Sequence, residues 1–141
     1  MKKNSIINFS NATMLAIHAL ALIIINDKIY LTTKEIANQL GASENHLAKI
    51  MQILVKNKLV NSIKGPSGGF YPNEDSEKIT LKKVIEIIEG PIDKSFCPFF
   101  KNCVSTSCIL GKEIEEYNKK IIKILEQTTI KDLAKNMKLK I

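Results

Sequence analysis

The fold is decided by residues 32–71, which read TTKEIANQLGASENHLAKIMQILVKNKLVNSIKGPSGGFY. The two threonines at the start can cap a short helix over residues 34–40, and Gly41 can end it. Ser43 can cap a second helix, which carries apolar residues at spacings of three and four to about residue 58. Two short helices joined by a glycine-containing turn, the second of them amphipathic, predict a helix-turn-helix.

The rest of this stretch predicts a β-hairpin. Strand-like residues 59–63 and 70–71 flank a loop of lysine, glycine, proline and serine at 64–69. A phosphate-binding nucleotide loop is the alternative for this segment, but the GxGxxG spacing and a following helix are both missing. A helix-turn-helix followed by a hairpin is a winged helix. We therefore predict a mainly α fold with a small β-hairpin wing, and assign residues 1–78 to a winged helix-turn-helix DNA-binding domain.

A strongly apolar segment, residues 12–25, precedes the helix-turn-helix. It is shorter than the roughly 18–20 residues that cross a bilayer, and it is not followed by a small-residue cleavage site. We predict a buried first helix, capped by Ser10 or Asn11, and neither an export signal nor a membrane anchor.

The second half of the chain predicts helices around a loop that holds all three cysteines. A polar linker over residues 73–78 leads to a helix that Thr80 caps and Gly90 ends. Residues 91–111 contain the cysteines and show little periodicity, which predicts a loop. Two more helices are predicted, over about residues 112–127 and over 130–137, the second with a capping box of Thr129 and Asp132. We assign residues 79–141 to this second unit, packed with the first helix.

The charge of the chain is positive and unevenly distributed. Of 141 residues, 45% are hydrophobic and 25% charged, which suits one folded domain. The net charge is +7, every basic residue is a lysine, and residues 1–72 hold eight lysines against three acids. This surplus predicts an anionic partner on the winged-helix half. The aromatic content of 6% disfavours a base-stacking surface for single strands.

No set of catalytic residues is evident in the sequence. A cysteine nucleophile would need His18 or His46 as its base, but His18 falls within the predicted buried helix and neither has an evident orienting acid. We predict that the protein is not an enzyme.

Duplex DNA is the partner that a winged helix predicts, because the first turns of its recognition helix enter the major groove. Asn45 can pair with adenine, and Glu44 can accept a hydrogen bond from cytosine. Arginine, the usual bidentate partner of guanine, is absent, so Lys49 is its nearest substitute and specificity should depend on A·T content and DNA shape. The predicted DNA-binding residues are Thr33, Lys34, Ser43, Glu44, Asn45, His46, Lys49, Lys64, Gly65, Ser67, Gly68 and Gly69, with Lys28, Lys56 and Lys58 as further phosphate contacts.

Cys97, Cys103 and Cys108 lie within twelve consecutive residues. Thiolates are soft ligands for iron–sulfur clusters or zinc, and a loop can bring three of them to one site. The Cys-x2-Cys spacing of zinc fingers is missing. Thiol-based redox sensing and inert thiols are the alternatives. An odd number of cysteines excludes a fully paired disulfide scaffold and favours a reducing, cytoplasmic compartment.

The sequence resembles the Rrf2 family of bacterial winged-helix transcription regulators, the group that includes IscR, NsrR, RirA and CymR. The similarity covers nearly the whole chain and includes SENHL at 43–47, KGPSGGF at 64–70, ITLKKV at 79–84, the three-cysteine loop and TIKDL at 129–133. The resemblance implies a homodimer built on the long C-terminal helix, which acts as a repressor on a near-palindromic operator. It also implies that Cys97, Cys103 and Cys108 ligate a 2Fe–2S or 4Fe–4S cluster that senses nitric oxide, redox or iron–sulfur status, with the NsrR-like branch nearest.

The chain departs from the family pattern at three positions. Lys64 replaces the arginine before the first wing glycine, Asn11 stands where some members have an acidic fourth ligand from the partner subunit, and Gly111 stands where others have a histidine. The fourth ligand therefore stays open among Asn11, Ser10, Glu113, Glu115 and an exogenous molecule. A cluster-free regulator, triggered by cysteine oxidation or by a partner protein, is the alternative function.

Overall fold

The structure, a computed structural model, describes residues 7–26, 28–95, 97, 99, 102–105 and 107–138. Lys2 and Lys3, which contribute to the positive charge of the first half, lie outside the described residues. The described chain forms six α-helices and one two-stranded antiparallel sheet. Their bounds are α1 Asn11–Ile25, α2 Thr33–Leu40, α3 Glu44–Lys56, β1 Asn61–Ile63, β2 Gly69–Tyr71, α4 Leu81–Glu89, α5 Ile114–Gln127 and α6 Ile130–Asn136.

The helix caps explain most of these bounds. Ser10, Thr32, Ser43 and Thr80 each accept a hydrogen bond from the backbone of the first turn that follows, as predicted. The predicted capping box of Thr129 with Asp132 starts α6. Since five helices begin at a predicted cap, the mainly α fold with a β-hairpin wing is confirmed in the order expected.

The central element is α1, because the other helices of the core pack around it. Nine of its fifteen residues are buried, and they cover most of its circumference. It lies against α2 and α3 on the helix-turn-helix side and against α4 and α6 on the other. One continuous core contains residues of all five of these helices. No helix in the described part of the chain is long and apolar enough to span a membrane.

The end of α3 differs from the prediction. The helix stops at Lys56 and not near residue 58, because Lys58 adopts the left-handed conformation with a φ of 59°. The Lys58 N–H donates to the Val55 carbonyl, and the Leu59 N–H donates to the Leu54 carbonyl, both at 3.0 Å. These two bonds form a Schellman motif, so the chain turns here and β1 begins only at Asn61.

The segment after the wing, which the sequence predicts as a polar linker, is folded against the end of α3. It contains a 3₁₀ turn, Ser76–Lys78, and the Ser76 side chain is 1% exposed. The Ser76 hydroxyl donates to the Leu59 carbonyl at 3.2 Å, and the Asn73 amide donates to the Lys58 carbonyl at 2.8 Å. The segment is therefore fixed to the end of α3, because the backbone carbonyls of the Schellman turn need partners.

Candidate nucleic-acid interface and thiol pocket

Helix α3 separates its buried and exposed residues cleanly. Leu47, Ile50, Met51 and Leu54 are at most 2% exposed and join the core. The N-terminal end of the helix exposes the residues predicted to read bases, which are Ser43, Glu44, Asn45, His46 and Lys49. Ser43 also caps the helix, since its hydroxyl accepts from the His46 N–H at 3.4 Å. All five predicted residues are therefore accessible at the start of α3.

Helix α2 begins with a capping box that sequence reasoning overlooked. The Thr32 hydroxyl accepts from the Glu35 N–H, and the Glu35 carboxylate accepts from the Thr32 N–H at 2.8 Å. The same carboxylate pairs with the Lys28 ammonium at 2.5 Å. The hydrogen bond from Lys28, followed by those from Thr32, lowers the pKa of Glu35 from 4.5 to about 2. Lys28, which the sequence predicts as a phosphate contact, is therefore paired with a carboxylate. Lys34, another predicted DNA-binding residue, is exposed.

The wing projects beside α3. Its strands pair Asn61 with Tyr71 and Ile63 with Gly69, and the loop between them exposes Lys64, Gly65 and Ser67. A groove of about 510 Å³ lies between the wing and the second half of α3, and it is open to solvent. Lysines line this groove on both sides, Lys56 from the helix and Lys64 from the wing. None of Lys34, Lys49, Lys56, Lys58 or Lys64 forms an ion pair with another described residue.

The last two glycines of the wing, Gly68 and Gly69, are required by close packing that the sequence does not reveal. A Cβ on Gly69 would lie 2.6 Å from the Leu31 carbonyl oxygen and 2.5 Å from Cδ2 of Tyr30. Leu31 cannot yield, because it exchanges two backbone hydrogen bonds with Phe70, of 2.8 and 2.9 Å. A Cβ on Gly68 would collide with the Ile63 carbonyl. Close packing thus accounts for both glycines, and DNA contact by Gly68 and Gly69 stays a prediction.

The three cysteines line one pocket. Cys97, Cys103 and Cys108 are all free thiols, and the pocket that they share has a volume of about 480 Å³. Cys108 caps a π-helical turn, Ile109–Glu113, that leads into α5. Such turns occur frequently at functional sites. The rest of the lining comes from this turn, with Gly111 and Lys112, from the start of α5, with Glu115, Glu116 and Lys119, and from Ser105 of the loop.

The three cysteine side chains are chemically suited to bind a sulfur-ligated group. Three soft thiols on one pocket match the ligands that iron–sulfur clusters and zinc take. In the described part of the chain, however, no three His, Cys, Asp or Glu side chains are grouped closely enough to hold a single metal ion. The loop would therefore have to contract around a bound group for the three sulfur atoms to converge.

The residues predicted as candidates for the fourth ligand lie in different parts of the structure. Glu115 lines the thiol pocket, whereas Glu113, in the π-helical turn, does not. Ser10 and Asn11 lie at the start of α1, where the Ser10 hydroxyl is engaged with Thr13. Within one chain, Glu115 is therefore the candidate that the structure brings to the cysteines.

A polar link between α1 and α4 was missed from the sequence. Glu89, the last residue of α4, accepts hydrogen bonds from the Ser10 N–H and the Thr13 hydroxyl, both at 2.7 Å. The bond from Thr13, and then those from Ser10, lower the pKa of Glu89. Thr13 is fully buried, so its position in an apolar helix was the available signal that its hydroxyl needs a partner.

Comparisons with known proteins agree on one family. The model of the Rrf2 family, described as an iron-dependent transcriptional regulator, matches residues 9–136. An HTH-type transcriptional regulator of Aquifex aeolicus is 33% identical over 129 residues, which cover 89% of this chain and 90% of that protein. The regulator NsrR of Shouchella clausii is 30% identical over 108 residues, 74% of this chain and 72% of NsrR. The structure of CymR, the global cysteine regulator of B. subtilis, superposes with a TM-score of 0.78 at 21% identity, over 94% of this chain and 100% of CymR.

Proposed function

Since the chain belongs to the Rrf2 family and is a transcriptional regulator, not an enzyme, we propose that it is a homodimeric repressor governed by an iron–sulfur cluster. Cys97, Cys103 and Cys108 would hold the cluster, and near-palindromic duplex DNA would be the target. In this proposal the cluster-bearing dimer binds the operator, and damage to the cluster by nitric oxide or oxidants releases it.

The observation that carries the proposal is the common pocket of the three thiols. Cys97, Cys103 and Cys108 come from a loop that begins where α4 ends and finishes where α5 begins. Lys112 and Lys119 line the same pocket, and their two positive charges would offset part of the negative charge of three ligating thiolates. When bound, an iron–sulfur cluster supplies a redox-active centre that nitric oxide and oxidants attack. The role of the chain is to hold its thiolates and to respond when they are freed.

The apolar face of α5 supports the homodimer. Ile114, Tyr117 and Ile124 recur at the helical spacing, and the last two are 59% and 60% exposed. A stripe of exposed large apolar residues on one helix is typical of an interface between subunits. A two-fold axis along this stripe would pair two copies of α3 and of the wing, as a palindromic operator requires.

The packing of the chain offers a route from the pocket to the DNA-reading residues. The cysteine loop follows Glu89, whose carboxylate is bonded to the start of α1, and α1 packs against α3. A change in the loop can therefore alter the position of α3 relative to its counterpart in the dimer. Each mismatched base pair costs about 1–3 kcal/mol, so a small displacement of the recognition helices is enough to release an operator.

Anaerobic reconstitution with iron and sulfide tests the proposal. A target duplex is first selected from a random-sequence pool with the reconstituted protein, and its binding is then followed by fluorescence anisotropy. We expect visible absorption, stoichiometric iron and sulfide, and a drop of at least about tenfold in affinity after treatment with a nitric oxide donor. A triple Cys→Ser variant should lose the colour and the response, whereas Ser105→Ala, in the same pocket, should keep both. A triple variant that still responded would refute the proposal.

A cluster-free regulator is the second candidate function, and the state of the three thiols favours it. All three thiols are free, Cys103 is exposed, and the described donors are not grouped around a single ion. Oxidation of two of these thiols to a disulfide would also change the loop, with the two electrons and two protons passing to an oxidant such as a peroxide. A reconstituted protein that stays colourless, but loses DNA binding and two titratable thiols on peroxide treatment, would support this candidate.

A further inference from the structure

We infer that Glu115 supplies the fourth donor of the thiol pocket, from the same chain as the three cysteines. This inference rests on the proposed function, because it assumes that the pocket holds a cluster. Three thiolates leave one position of a four-ligand cluster or tetrahedral site to be filled, by a protein side chain or by an exogenous molecule. The lining of the pocket limits the choice of side chain.

The position of Glu115 distinguishes it from the other acids of the described chain. It lies one helical turn after Gly111 and one turn before Lys119, and all three line the pocket on the same side of the helix. Apart from its own helix and chain neighbours, no atom of the described residues lies within 4 Å of the place where a Cβ on Gly111 would stand. A carboxylate on the next turn can extend into that space without displacing a described side chain.

Burial separates Glu115 from its neighbour Glu116. The Glu115 side chain is only 18% exposed, whereas Glu116, which also lines the pocket, is exposed to solvent. A carboxylate that is withdrawn from water loses more by having no partner than an exposed one does. Of the two acids that line the pocket, Glu115 is therefore the one that gains more from a cationic partner.

The present partners of Glu115 are two lysines, and they do not prevent ligation. Its carboxylate lies 3.2 Å from the Lys119 ammonium, one turn along the helix, and 3.8 Å from the Lys94 ammonium, at the start of the loop. Both ion pairs lie at or near the rim of the pocket, because Lys94 and Lys119 are more than half exposed. If the carboxylate turned to a metal, Lys119 would still line the pocket and face three thiolates, so its charge would remain compensated.

A matched set of variants tests the assignment. Wild type, Glu115→Gln, Glu116→Gln and Glu115→Cys are reconstituted anaerobically, and iron, sulfide, the absorption spectrum and iron release to a chelator are measured. We expect Glu115→Gln to release iron about tenfold faster or more, and Glu116→Gln to match wild type. Glu115→Cys should restore slow release and add thiolate-to-iron absorption, because cysteine can ligate but cannot pair with Lys94 and Lys119 as the carboxylate does.

The outcomes separate this inference from the proposed function. If wild type takes up no iron and sulfide, the cluster itself is refuted. If wild type is loaded and Glu115→Gln has the same spectrum and release rate, the cluster stands and Glu115 is not its ligand. If both Glu115 variants lose iron equally fast, the carboxylate acts only through its lysine pairs, and the assignment is also wrong.

Discussion

Replacing Lys58 by glycine should stabilise the protein, although the substitution removes a side chain. Lys58 has a φ of 59° at the turn between α3 and the wing. A residue with a Cβ pays roughly 1–2 kcal/mol for this left-handed conformation, and glycine does not. Glycine adds about 0.4–1 kcal/mol of conformational entropy to the unfolded chain. At the midpoints of these two ranges, the difference is a net gain of about 0.8 kcal/mol in the free energy of unfolding.

The Lys58 side chain makes few interactions whose loss would reduce this gain in stability. Its side chain is exposed and forms no ion pair with the other described residues, so its removal should cost little. The turn is otherwise held by backbone groups, with the Lys58 N–H bonded to Val55 and its carbonyl bonded to the Asn73 amide. Glycine keeps all of these bonds, since they belong to the backbone.

Urea denaturation followed by circular dichroism measures the effect, which should also raise Tm by about 2–3 °C. Lys58→Ala is the first control, because it removes the charge and keeps the Cβ, and it should lie within about 0.5 kcal/mol of wild type. Lys56→Gly is the second control, because Lys56 has helical geometry and glycine there should destabilise by about 0.5–1 kcal/mol. A Lys58→Gly variant no more stable than Lys58→Ala would contradict the reasoning.

Three further predictions follow from the helix-turn-helix and the wing. Gly69→Ala should lower the free energy of unfolding by about 1–3 kcal/mol in urea, because its Cβ meets fixed backbone; a change under 0.5 kcal/mol would be inconsistent with this packing. The pKa of Glu35 is lowered to about 2, so the stability that its carboxylate contributes is complete above the ordinary pKa of 4.5 and is lost as the pH falls toward 2. Glu35→Gln should therefore flatten the decrease in the free energy of unfolding at acid pH. Wild-type and variant curves that run parallel would argue against the ion pair. Lys49→Ala and Lys64→Ala should each reduce the slope of log K against log salt by about 0.9 per protomer, with Lys123→Ala on α5 as the unaffected control; unchanged slopes would remove these lysines from the interface.

The parts of the fold that could be predicted are those with a local cause. Ser10, Ser43, Thr80 and Thr129 carry the hydroxyl that an N-cap needs, and each begins a helix. Gly41 ends α2 in the left-handed conformation with a φ of 63°, as its position predicted. These features depend on a few neighbouring residues, so they can be identified from the sequence without knowledge of the tertiary structure.

The features that were missed depend on residues far apart in the sequence. Lysine is not a usual residue for a left-handed cap, so the turn at Lys58 could not be identified from composition. Ser76 is buried only because the end of α3 lies beside it. The same holds for the thiol pocket, because the sequence predicts the three cysteines and several candidate fourth ligands separately. That Glu115 lines the same pocket as the cysteines depends on how the start of α5 lies beside the loop.

The burial of α1 connects the two halves of the molecule energetically. A helix that is apolar on most sides cannot shift against one neighbour without disturbing the others, because interiors are close-packed. Its polar start is bonded to Glu89, next to the cysteine loop, while its apolar sides contact α2, α3, α4 and α6. A strain applied at the loop therefore reaches α3 through packed contacts and not through a flexible linker. In the proposed function, this arrangement would couple the cysteine loop to the recognition helix through the core itself.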